Sequence, residues 1–81
     1  MIKLREGQLV EITWVDCYGS AGWEYVGDCP KPPTIKSVGY FLKYAHKGLY
    51  LASGLSDKED GSVLAPAWIP DGCVQKIRRL K

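Results

Sequence analysis

The chain has 81 residues and a mass of 9.0 kDa, enough for one domain that buries only about 60–65% of the surface its unfolded form exposes; a large enclosed active site is excluded. Hydrophobic residues make up 46% and charged residues 25% of the chain, the proportions of a globular protein and not of a disordered tail. A net charge of +2 and a pI near 8.5 fall well short of the balance of a protein that coats nucleic acid by charge alone.

Charges interrupt the apolar residues of Met1-Ile2-Lys3-Leu4-Arg5-Glu6-Gly7. Neither the apolar core of a secretory signal nor a membrane-spanning run can be traced, so a cytoplasmic protein without a membrane partner is expected. Residues 8–16 alternate, with Val10, Ile12 and Trp14 on one side and Glu11 and Thr13 on the other, which predicts a half-buried strand. From Cys17 to Ser37 the chain carries Gly19, Gly22, Gly27, Pro30, Pro32 and Pro33, and no helical period survives that punctuation. A loop this long in so small a domain is either functional or partly strand-paired, and Trp23 to Val26 could supply a short strand. Val38 to Ala45, a turn at His46-Lys47-Gly48 and Leu49 to Ser53 predict a hairpin. Val38, Tyr40, Leu42 and Tyr44 fall on one strand face, which assigns that face to the core or the barrel rim. Residues 54–62 are a polar, acidic turn, and Val63 to Ile69 is an edge or bulged strand because of Pro66. Pro70-Asp71-Gly72 then breaks the chain before a closing strand within Cys73–Leu80.

Short strands separated by turns, with no helical segment, predict an all-β fold, a single domain over residues 1–81. The order of elements resembles the SH3-like barrel: about five strands, a long loop after the first strand (residues 17–37), and a short 3₁₀ turn before the last (70–74). The run Trp68-Ile69-Pro70 to Val74 carries most of that resemblance. In sequence, Val10-x-Ile12-x-Trp14-Val15-Asp16, Gly22-Trp23, Ser37-Val38-Gly39-Tyr40, Ile69-Pro70 and Ile77-Arg78-Arg79-Leu80 resemble short uncharacterised proteins encoded by tailed phages and prophages. That resemblance implies a small accessory protein made inside an infected bacterium, and Cys29-Pro30-Lys31-Pro32-Pro33 departs from its pattern.

Catalytic chemistry finds little footing. Gly19-Ser20-Ala21-Gly22 is too short for a phosphate loop and lacks the following Lys-Ser/Thr. His46 stands alone in a turn, and Cys17, Cys29 and Cys73 have neither close pairing nor a histidine nearby; no catalytic group, metal or cofactor is expected. Cys17 and Cys29 could pair only in an oxidising compartment.

Charge is segregated along the chain. Glu11, Asp16, Glu24 and Asp28 occupy residues 11–28 without a base, whereas Lys31, Lys36, Lys43 and Lys47, and later Lys76, Arg78, Arg79 and Lys81, form basic runs. Trp14 and Trp68 are assigned to the core, which leaves Trp23, Tyr25, Tyr40, Tyr44 and Tyr50 for a surface. Asp16, Trp23, Tyr25, Lys36, Tyr40 and Lys43 are therefore the candidate ligand-binding residues: aromatics to sandwich a base, lysines to meet phosphate, and Asp16 for a ligand hydroxyl unless it caps a turn. The expected ligand is small, anionic and of nucleotide type, a host signalling molecule held by a phage protein as counter-defence. So small a barrel would hold it between subunits, which predicts a homo-oligomer. The alternatives are nucleic acid bound through the lysines, and a host protein bound through the long loop or an open strand edge.

Overall fold

Seven strands and two 3₁₀ turns make up the regular structure of the computed structural model, which describes residues 3–17, 19 and 22–80. The strands are β1 (Leu9–Val15), β2 (Thr34–Ala45), β3 (Gly48–Ala52), β4 (Gly54–Leu55), β5 (Val63–Leu64), β6 (Ala67–Pro70) and β7 (Val74–Arg79). Five of them form one antiparallel sheet in the order β6-β3-β2-β1-β7, and β4 pairs with β5 in a separate ribbon. The fold is all-β, as the turn spacing predicts.

Alternation on β1 decides the inside. Val10 and Ile12 are fully buried, and Trp14 packs against the cluster they form with Phe41, Leu49, Leu51 and Ile69. Ile77 of β7 and Ile69 of β6, from strands at opposite ends of the order, both join this cluster. The sheet therefore curls round its core into a barrel, which stays open because β6 and β7 are joined by the 3₁₀ turn Asp71–Cys73 and not by a ladder.

β2 is longer than expected and phased differently. Pairing begins at Val15↔Thr34, so Thr34 to Ser37 belong to the strand and not to the loop. The ladder stops at Pro33, which has no N–H to give but whose carbonyl accepts from the Asp16 N–H at 3.0 Å. The register places Gly39 opposite Val10 and Ser37 opposite Ile12, so the inward residues include Gly39 and Phe41. Val38, predicted inside, is 57% exposed. A bulge at Leu42 then shifts the phase of the strand's last residues, which single alternation cannot anticipate.

The hairpin turn is His46-Lys47 alone, with φ of 56° and 58°. Two positive values in a two-residue loop are the pattern that matches strand twist in tight hairpins, and they release Gly48 into β3. Val63 to Ile69 does not run as one strand: Ala65, at φ 49°, and Pro66 divide it into β5 and β6. Likewise Trp23 to Val26 is no strand. With no partner strand, its backbone closes locally into the 3₁₀ turn Val26–Asp28, where the Asp28 N–H donates to the Tyr25 carbonyl at 2.9 Å. Among the described residues no helix is long and apolar enough to cross a membrane.

Candidate ligand-binding face

Charge sorts by structure more sharply than by position in the chain. The strands carry Lys36, Lys43, Lys76, Arg78 and Arg79 against a single acid, Glu11. Glu11 lies opposite Arg78 in the β1–β7 register and accepts from its Nε at 3.3 Å. The remaining acids sit in turns and loops, so the outer face of the sheet is cationic and its rim acidic. On that face the registers align Lys36 with Thr13 and Lys76 in one row, and Val38 with Glu11 and Arg78 in the next.

A third row is aromatic. The bulge at Leu42 brings Lys43 opposite Tyr50, and Tyr50 is opposite Trp68 on β6. Lys43 Nζ lies 5.2 Å from the centre of the Tyr50 ring, within the range where the ring quadrupole attracts a cation. Tyr50 O–H and His46 Nδ1 share a 3.0 Å hydrogen bond, His46 accepting in the tautomer protonated at Nε2, and the two rings meet edge to face at 6.1 Å. Trp68 is 44% exposed, a correction to its assignment to the core: its neighbour Ile69 takes the inward position, and period two sends Trp68 out. It stays on the sheet because its Nε1–H donates to the Ala45 carbonyl at 3.3 Å and because Gly48, directly beneath, has no side chain. A Cβ at Gly48 would stand 2.3 Å from Trp68 Nε1 and 2.7 Å from the Ile69 carbonyl oxygen.

The structure divides the residues nominated from sequence. Lys36 and Tyr40 share the outer face of β2, with Lys43 beyond the bulge. Asp16 stands at the end of β1, where its Oδ1 accepts from the Cys17 N–H at 2.8 Å, a local turn role. Trp23 and Tyr25 belong to an arm outside the barrel, and their side chains are 103% and 82% exposed; Trp23 packs on none of the strand lysines. Lys81, counted with the basic run, lies outside the described residues. The members of the aromatic row that sequence reasoning did not place are His46, Tyr50 as the partner of Lys43, and Trp68. One signal was available: Leu49 and Leu51 flank Tyr50 in the alternation of β3, and Gly48 begins the strand as a spacer would.

Between β1, β2, β3 and β6 lies a cleft of about 290 Å³, lined among others by Trp14, Ser37, Val38, Ala52, Ala67 and Trp68. Its floor is fixed by the Trp14 Nε1–H, which donates to Ser37 Oγ at 3.0 Å. Cys17, Cys29 and Cys73 are free thiols. Among the described residues no three His, Cys, Asp or Glu side chains gather as a metal ion would require. No protein-family model matches the chain, and neither the curated proteins nor the solved structures contain a match to it.

Proposed function

We propose that the protein is a non-catalytic binding module whose outer sheet face holds an anionic, base-bearing ligand of nucleotide type. One observation carries this reading: an exposed indole, a tyrosine ring and a lysine ammonium stand in one row, on a face with three further strand cations, Lys36, Lys76 and Arg78, and one acid that is already paired. A base stacking on Trp68 and Tyr50 gains about 1–3 kcal/mol per base, and Lys43 is placed to meet its phosphate. On the resemblance to phage and prophage proteins, the setting is the cytoplasm of an infected bacterium, where such binding would withdraw a host signalling nucleotide.

The rows Lys36-Thr13-Lys76 and Val38-Glu11-Arg78 support a second reading, because they continue the cationic face across three strands as a single-stranded nucleic acid would need. Calorimetry against mononucleotides, cyclic nucleotides and short oligonucleotides tests both. The expected result is binding of at least one nucleotide class, weakened at least about tenfold by Lys43→Ala or Trp68→Ala, the size of a lost stacking or charge contact. An affinity that rises with oligonucleotide length and falls steeply with salt selects the nucleic-acid reading. Silence of folded protein toward the whole panel refutes both.

A further inference from the structure

Residues 22–33 stand outside the barrel as an arm, and the chain returns to β1 where the Asp16 N–H donates to the Pro33 carbonyl. A chain of this length packed compactly has a radius of gyration of about 12 Å. This one has 15.4 Å and a long axis of 52 Å against 25 and 22 Å. The arm presents Trp23, Tyr25 and Val26 to solvent, Val26 at 91% exposure. Its 3₁₀ turn is closed by the chain's own backbone bonds, Asp28 N–H to the Tyr25 carbonyl and Cys29 N–H to the Val26 carbonyl, so the apolar side chains are displayed from an ordered turn.

The barrel carries a complementary feature. At about 290 Å³ the cleft beside Trp14 and Ser37 stands at the bottom of the range for small-molecule sites. Its size suits one aromatic side chain better than a whole ligand. Val38, Ala67 and Trp68 make its rim apolar, and Lys36 lies two residues from Val38 on the cationic strand face. Asp28 closes the arm's turn and no base stands between Trp23 and Cys29, so the segment is opposite in sign to that face, Lys31 following only beyond the turn.

We infer that two copies of this chain exchange arms, each placing Trp23 in the other's cleft with Tyr25 and Val26 against the cleft's rim. A buried Trp and Tyr remove about 150–250 Å² each, so two arms bury about 600–1,000 Å² before the cleft and rim surfaces they cover are added, a total in the range of a small, weak dimer interface. A reciprocal exchange is two-fold and closes on itself, so it stops at a dimer and does not propagate into a fibre.

Sedimentation equilibrium of the full chain over a range of concentrations tests the inference. The wild-type protein is expected to dimerise, and Trp23→Ala and Val38→Glu each to raise the dimer dissociation constant at least about tenfold, as loss of a central aromatic anchor or its pocket does. Both positions are exposed, so the variant barrels keep their core. An equimolar mixture of the two variants is expected to associate more tightly than either alone, because only the mixed dimer retains one intact arm facing one intact cleft. A wild-type monomer at millimolar concentration refutes the exchange, whether its Trp23 fluorescence reports solvent or burial against its own barrel. A dimer that survives both substitutions refutes it as well, and one that responds to Trp23→Ala but not to Val38→Glu refutes the cleft as the arm's seat. Trp23 lies off the strand face that carries Lys43 and Trp68, so the effect of Trp23→Ala on the dimer, read beside its unchanged nucleotide binding, separates failure here from failure of the ligand-binding reading.

Discussion

Gly48 makes the aromatic row possible. Its φ is ordinary for a strand, and its role is the close approach of the Trp68 ring. Gly48→Ala would force the indole off the sheet or push the Ile69 carbonyl away, an overpacking that costs about 1–3 kcal/mol. Urea unfolding is expected to show that loss together with a red-shifted tryptophan emission, since the displaced ring becomes wetter. An unchanged midpoint would mean that Trp68 is not held on Gly48. The same pair of residues marks where sequence reasoning runs out. Beside Ile69, Trp68 looks like core, because adjacency and alternation make opposite assignments and only the β3–β6 register decides between them. Asp16 was ambiguous in another way: a carboxylate at a strand end serves a ligand or its own turn, and its bond to the Cys17 N–H places it in the turn.

Elements are joined at one end of the barrel by a polar contact that neither alternation nor spacing indicates. The Tyr44 hydroxyl on β2 donates to Asp71 Oδ2 in the 3₁₀ turn between β6 and β7, and the Asp71 N–H donates to the Lys47 carbonyl at 2.9 Å. The hydrogen bond to Asp71, with lesser contributions from desolvation and from the carboxylate's charge, holds the Tyr44 phenol above its usual value of 10.0. The sign of the pH effect follows. A group that keeps its proton more firmly when folded contributes stability that is complete below its unfolded value and is lost as pH rises through the folded one. Alkaline unfolding above about pH 10 is expected to be shallower in Tyr44→Phe than in the wild type; parallel profiles would show that the bond does not hold the turn. The first strand, the β2–β3 hairpin and the short turn before β7 were readable from alternating apolar residues and from Gly and Pro, which act locally; the β4–β5 ribbon was not. The β1–β2 register that turns Val38 outward and the bulge at Leu42 that pairs Lys43 with Tyr50 were not readable either, because both answer to the partner strand.

The whole molecule rests on a small core, Val10, Ile12, Phe41, Leu49, Leu51 and Ile69 with a partly buried fringe. At about 0.05–0.15 kcal/mol per residue its total stability is about 4–12 kcal/mol, and Ile12→Ala, which empties the centre of β1, removes about 2–5 kcal/mol. Chemical denaturation is expected to show a fall of that size with an unchanged m value; a loss below about 1 kcal/mol would place the core elsewhere. Folding speed follows from the same architecture. β1 pairs with β7 across nearly the whole chain, Glu11 meeting Arg78 over a separation of 67 residues. Ladders of such high contact order form late and slowly, on the order of milliseconds to seconds, because the loop they close must be ordered before any contact rewards it. On a ribosome, β1 therefore emerges long before its outer partner exists, and the apolar side chains that will face Ile77 wait uncovered until the final strand has left the exit tunnel.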